Sequence, residues 1–284
     1  MMVDKYAVIG NPIAHSKSPL IHAAFAQQTG QAMSYEAILA PVDGGFAGVL
    51  ERLIQQGYKG VNVTVPFKFE ALVFAAKSGT VNPRAAKARA SNTLLFNGDG
   101  GLVADNTDGV GLVNDITQNL KFDIQGKKIL LLGSGGAAFG VLQPLVYANP
   151  SLIVISNRTF AKAEDAAKIL AEIIDTSKSD TVCMAKRFEE LDDLRFDLVI
   201  NSTSTGLTDS VLPIPDTVFA KDCLAYDMMY GRETPFMAQA RRNGAQVADG
   251  LGMLVEQAAE AFYLWRGVRP DTKPVMDKIR ALAI

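Results

Sequence analysis

The chain has 284 residues, 48% of them hydrophobic and 20% charged, with a formal net charge of −2. That is apolar material for a sizeable core and, since single cores stop growing near about 250–300 residues, for two domains. Lys and Arg form no blocks, which excludes a nucleic-acid backbone as partner, and no apolar run approaches the roughly 20 residues that cross a bilayer.

Strand-like and helix-like stretches alternate almost throughout, which predicts α/β layers on mainly parallel sheets. Strands are expected at 6–10, 33–40, 61–65, 92–96 and 102–105. Ser18-Pro19 announces a helix, a capping residue followed by proline in the first turn, and the helix ends near Gly30. Another runs from near Asp43 to Gly57. NGDGG at 97–101 reads as the turn of an antiparallel hairpin at a sheet edge. Further strands at 128–132, 152–156, 181–185, 197–201, 223–227 and 246–248 suit a doubly wound sheet, whose first helix contains Pro144 and should kink there. In MLVEQAAEAFYLW, Leu254, Ala258, Ala261 and Leu264 fall on one helical stripe, and a last helix follows Pro274. These two helices come after the second sheet is complete and are free to pack on the first, with Trp265 as an anchor.

Cys183 and Cys223 each sit in an apolar run and read as reduced core thiols. His15 and His22 are too few for a histidine zinc site, and no cysteine pair has ligand spacing, so no metal is expected. Met1 leads straight into YAVIG, without the long apolar core of a signal peptide. The expectation is a soluble cytoplasmic protein.

KKILLLGSGGAAFG places Gly133, Ser134, Gly135, Gly136, Ala137 and Ala138 directly after a buried strand and ahead of a helix, matching G-x-G-x-x-A. Gly133 permits the tight turn, Gly135 lets a pyrophosphate approach the backbone, and Ala138 allows close helix–strand packing. About 20 residues on, an NAD-preferring protein carries an acid for the ribose hydroxyl. Here the next strand ends in Asn157, Arg158 and Thr159, with Lys162 three residues later. A guanidinium, a hydroxyl and an ammonium suit a 2′-phosphate, so NADP is the expected cofactor.

GVNVTVPFK puts Asn62 and Thr64 on one face of a strand, where their polar groups need partners or a ligand. Lys68 then emerges past the strand's C-terminal end, where open α/β sheets bind ligands. Ser16 and Ser18 leave the first strand two apart, SNT supplies Asn92, and ADNTDG supplies Asp105, Asn106 and Asp108. Ser18 and Asp108 each have a plainer reading as helix caps. Together the set suits a small polyhydroxylated acid.

At this point YAVIGNPIAHSKSP, GVNVTVPFK, SNTL, DNTDG, LLGSGGAA, SNRT, NSTSTG, YDMMY and DGLGMLVEQAAEAF resemble the shikimate dehydrogenase family, in order, from residue 6 to about 267. The resemblance implies reversible NADPH-dependent reduction of 3-dehydroshikimate to shikimate in aromatic amino-acid biosynthesis. It implies Lys68 and Asp108 as the catalytic pair and Ser16 and Ser18 as holders of the substrate carboxylate. Asn62, Thr64 and Asn92 would hold its hydroxyls, and Tyr230 and Gln257 would complete the site. On the cofactor side it implies residues 133–137, Asn157 to Lys162, Thr203, Met228 and Gly250. The expected organisation is a discontinuous substrate-binding and catalytic domain, 1–107 and 251–284, with a mixed sheet, and a Rossmann-type NADP domain over 108–250. The partners expected are the small-molecule substrate and cofactor, with no nucleic acid and no membrane. A homodimer is left open. So are a quinate-accepting sibling that uses NAD and a non-catalytic NADP-sensing homologue.

Overall fold

The structure is a computed structural model and describes residues 3–97, 101–208 and 210–282. Its chain divides into two units, Met1–Gly111 with Val255–Ile284, and Leu112–Leu254.

In the first unit β1 (Asp4–Gly10), β2 (Met33–Leu39), β3 (Tyr58–Val63), β4 (Thr80–Val81), β5 (Thr93–Phe96) and β6 (Leu102–Asp105) form one sheet, ordered β2-β1-β3-β5-β6-β4. β1 is parallel to β2 and β3, whereas β3–β5 and β5–β6 are antiparallel. Thr93 faces Asp105 and Phe96 faces Leu102, the register of the expected hairpin; the middle of its turn, 98–100, lies outside the described residues. Because β5 runs against β3, the start of β5 shares a sheet edge with the ends of β1, β3 and β6. Helices α1 (Ser18–Thr29), α2 (Phe46–Gln55), α3 (Lys68–Ser78) and α4 (Pro83–Ala88) connect these strands. Ile9, Phe46, Leu50, Val61, Val63, Phe67 and Leu94 build the core.

Two expectations shift here. β3 ends at Val63 rather than 65, because its pairing with β1 runs out at Ile9 and Phe67 N turns back onto the Thr64 carbonyl at 3.0 Å. Ser18 is not a cap: α1 begins at Ser18 itself, with Lys17 in the N-cap position and no side-chain cap bond.

α5 (Asp108–Asn114) is followed by a π-helical turn, Asp115–Asn119. In the second unit β7 (Lys128–Leu132), β8 (Leu152–Ser156), β9 (Val182–Lys186), β10 (Phe196–Asn201), β11 (Phe219–Asp227) and β12 (Gln246–Asp249) form an all-parallel sheet, ordered β12-β11-β10-β7-β8-β9. Strand side chains alternate between faces, and both faces here are apolar. Ile129, Leu131, Ile153, Ile155, Leu198 and Ile200 enter one core, with residues of α6 (Gly136–Tyr147) and α7 (Phe160–Ser177). Leu130, Leu132, Val154 and Val199 enter the other. α8 (Thr205–Thr208) and α9 (Pro235–Arg242) complete the unit. Pro144 lies inside α6, which ends at Tyr147 within a turn of it. Cys223 is buried in the second core, whereas Cys183, on the edge strand β9, is only partly covered.

α10 (Leu251–Arg266) and α11 (Lys273–Ala281) close the chain. α10 buries more than the expected stripe: Ala258 and Ala261 are covered, but so are Val255, Ala259 and Phe262, while Leu254 and Leu264 are only partly buried. Trp265 donates from Nε1 to the Leu94 carbonyl at 3.1 Å and packs on Tyr6, ring centroids 4.8 Å apart. A Cβ at Gly60 would collide with its indole, so that strand position needs glycine. No helix among the described residues is long and apolar enough to cross a membrane.

Candidate active site

The shared sheet edge of the first unit gathers most of the polar residues singled out in the sequence. Lys68 starts α3 just past β3, and Asp108 starts α5 just past β6. Lys68 Nζ donates to Asp108 Oδ2 at 2.6 Å, with side-chain exposures of 27% and 9%. A charge-assisted bond this sheltered is held more firmly than a surface pair. The other carboxylate oxygen accepts from Asn92 Nδ2 at 2.8 Å. The Asp108 carboxylate is therefore engaged by Lys68 and Asn92 rather than capping a helix. Asn92 Nδ2 also reaches Gln257 Oε1 at 3.3 Å, and its Oδ1 accepts from Thr107 N at 2.8 Å. Thr107, fully buried between Asn92 and Gln257, was within the DNTDG motif but not singled out. Ser18 N donates to Ser16 Oγ at 3.3 Å in the loop after β1. Tyr230 belongs to the other unit, beyond β11, and is 37% exposed.

Asn62 and Thr64 separate. Thr64 lies past the end of β3 and is partly exposed. Asn62 is buried, and its amide is spent inside the protein: Nδ2 donates to the Asn92 carbonyl at 3.1 Å and Thr93 Oγ1 at 3.0 Å, and Oδ1 accepts from Tyr35 at 2.7 Å. The rule that residues two apart share a face holds only while the strand lasts. Asn62 thus supports Asn92 rather than offering free N–H groups to a ligand. Behind it, His22 stacks on Tyr35 at 4.1 Å, and neither imidazole nitrogen has a hydrogen-bond partner. Burial pushes the imidazole down to about 3 and holds the Tyr35 phenol well above its ordinary value.

The second unit contains a cavity of about 620 Å³ lined by Gly133 to Ala137, Asn157, Arg158, Thr159, Lys162 and Thr203. Gly133 has φ +106°, and a Cβ there would meet Ser202 Oγ at 2.7 Å. At Gly135 and Gly136 a Cβ would meet nothing within 4 Å, which leaves the mouth of α6 open to a phosphate. Ser134 Oγ is buried without a partner, a polar atom that an anion would satisfy. Among the described residues no carboxylate lines the cavity, and the Arg158 and Lys162 side chains are exposed. These residues fit a dinucleotide bearing a 2′-phosphate. Met228 and Gly250 do not line this cavity. They meet each other: a Cβ at Gly250 would strike the Met228 carbonyl. Phe188 and residues 210–213 also line it and were not anticipated; Ser202, Ser204 and Thr205 were signalled only by the NSTSTG motif.

A doubly wound parallel sheet with a glycine loop, in one chain with a sheltered ammonium–carboxylate pair at a sheet edge, defines a dinucleotide-dependent oxidoreductase. Family models match in order along the chain: the shikimate dehydrogenase substrate binding domain over residues 8–94, shikimate/quinate 5-dehydrogenase over 115–208, and the shikimate 5′-dehydrogenase C-terminal domain over 250–280. Shikimate dehydrogenase (NADP(+)) of Methylobacillus flagellatus is 58% identical over 98% of this chain and 100% of its own. That of Herminiimonas arsenicoxydans is 53% identical over 99% and 98%. The solved structure of shikimate 5-dehydrogenase from Thermus thermophilus, in complex with NADP(H) and shikimate, is 32% identical over 100% of both chains, with a TM-score of 0.84. The chain belongs to the shikimate dehydrogenase family.

Proposed function

We propose that Lys68 and Asp108 handle the proton in the reversible NADP-dependent interconversion of 3-dehydroshikimate and shikimate. That reaction is the chain's function, a step of the shikimate pathway toward aromatic amino acids. The observation that carries the assignment of roles is the 2.6 Å Lys68–Asp108 contact, its second carboxylate oxygen held by Asn92. NADPH, when bound, supplies the hydride. Reduction of a ketone builds negative charge on its oxygen, and the Lys68 ammonium offers that oxygen a proton and a counter-charge. In the oxidative direction the neutral amine takes the hydroxyl proton back. Asp108, its second oxygen held by Asn92, orients the Lys68 amine toward that oxygen in both directions. Ser16 and Ser18 suit the substrate carboxylate, and Thr64, Asn92, Gln257 and Tyr230 its hydroxyls. Gly133 to Ala137, Asn157 to Lys162 and Thr203 would hold the cofactor's phosphates and ribose, with Met228 and Gly250 as further cofactor contacts.

The test mixes purified protein with shikimate and NADP and follows absorbance of the reduced nicotinamide, then substitutes quinate and NAD. Activity with shikimate and NADP well above the other pairings is expected; preference for quinate with NAD would favour the sibling reading, and no turnover with any pair a sensor. Lys68→Ala should lose about a hundredfold or more in kcat, with KM for shikimate changing far less. Equal loss in both would make Lys68 a binding residue instead.

A further inference from the structure

Below the substrate edge lies a charged group that the reaction does not itself use. Arg84, on α4, grips Asp105 with two parallel bonds, Nε to Oδ1 at 2.9 Å and Nη2 to Oδ2 at 2.7 Å. Its remaining amino group, Nη1, donates to Glu260 Oε1 at 2.9 Å, and Glu260 Oε2 accepts from Arg269 at 2.8 Å. Asp105 is 1% exposed and Glu260 7%. Charges buried to this degree hold a fixed geometry only when every lone pair is met. Asp105 achieves that with Asn82 Nδ2 at 2.9 Å and Asn106 N at 2.7 Å as its further donors.

What the two carboxylates carry gives the arrangement its meaning. Asp105 ends β6, and its own carbonyl accepts from Asn92 N at 3.2 Å. The chain then passes through Asn106, whose Oδ1 accepts from Asp108 N at 3.1 Å, to the carboxylate that holds Lys68. Glu260 lies three residues beyond Gln257 on α10, so the two share a helix face. One planar guanidinium therefore ties the strand end that launches Asp108 to the helix that presents Gln257. Asn92 bridges the same two side chains from the substrate side, at 2.8 and 3.3 Å.

We infer that Arg84 is a positioning residue that sets the gap between Asp108 and Gln257, and with it the fit of the substrate's ring hydroxyls; this rests on the functional reading above. Three bonds in one plane are what a guanidinium supplies and an ammonium cannot, so charge alone does not replace it. Arg84→Lys should raise KM for shikimate about tenfold while KM for NADP stays within about twofold. The decisive measurement is a double-mutant cycle with Gln257→Ala. If Arg84 acts through Gln257, the double variant has a KM for shikimate no worse than Gln257→Ala alone. Multiplied effects, or an unchanged KM with only a lowered Tm, would overturn the inference and leave Arg84 a purely structural brace. Glu260→Gln, which keeps the side-chain shape, runs the same cycle should Arg84→Lys not fold. Wild type that turns shikimate over while the cycle multiplies defeats only this inference; wild type without turnover defeats the functional reading first.

Discussion

A buried imidazole with no hydrogen-bond partner is unusual enough to have a measurable consequence. His22 is fully buried, stacked on Tyr35 and beside Phe25, Phe262 and Trp265, and burial pushes its pKa down to about 3. In the unfolded chain the same group titrates near 6.5. Between those values the unfolded chain binds a proton that the folded chain refuses, so stability falls as pH falls from about 6.5 toward 3 and is unaffected above that window. The slope approaches about 1.4 kcal/mol per pH unit well inside it. His22→Phe keeps a ring in the stack and removes the titration. Urea unfolding at pH 7, 5.5 and 4.5 should show the variant losing stability less steeply than wild type, by about that slope. Parallel curves would mean that the imidazole is protonated in the folded protein and that its pocket is wetter than the packing indicates.

At the scale of elements, one hydroxyl does two jobs at the start of α9. Thr234 Oγ1 accepts from Met237 N at 3.3 Å, as an N-cap does, and donates to Asp227 Oδ2 at 2.6 Å. Asp227 is fully buried at the end of β11, and it also accepts from Asn201 at 3.1 Å and Met229 N at 3.0 Å. Thr234→Ala should cost about 2.5–4 kcal/mol, a cap of about 1 plus a bond to a buried acidic group of about 1.5–3. It should appear as a lower urea midpoint at unchanged m; a loss under about 1 kcal/mol would show that water replaces the hydroxyl. Elements differ in how far such contacts were legible beforehand. β7 and β8 were read to the residue, because strands apolar on both faces announce themselves. β4, only Thr80–Val81, exists through its pairing with Val103 and Ala104, which no local pattern encodes. The residues around Lys68 and Asp108 were legible as motifs, since chemistry fixes residue type. The inward turn of Asn62 and the place of Phe188 in the nucleotide cavity depend on partners distant in the chain, Tyr35 in one case and the glycine loop in the other.

The whole molecule responds to its cofactor through mass action: anything that binds only the folded chain raises Tm, by about 2.7 kcal/mol of stability at a hundred times Kd. For a chain of this length that corresponds to about 5–10 °C, taking roughly 2–4 °C per kcal/mol. NADP and NAD differ by one phosphate, so the difference between their shifts isolates whatever reads that group. Among the described residues Arg158 and Lys162 are the cations lining the cavity, and no carboxylate of that set stands ready for a ribose hydroxyl. At equal concentrations NADP should therefore raise Tm more than NAD does. Arg158→Ala should bring the NADP shift down toward the NAD shift while leaving the NAD shift nearly unchanged. Both side chains are exposed, so the difference should also narrow as salt is raised from about 0.05 to 0.5 M, where screening shortens to a few ångströms. A variant in which the two shifts shrink together would show that Arg158 shapes the cavity as a whole, and the preference for the phosphorylated cofactor would then need another source among the lining residues.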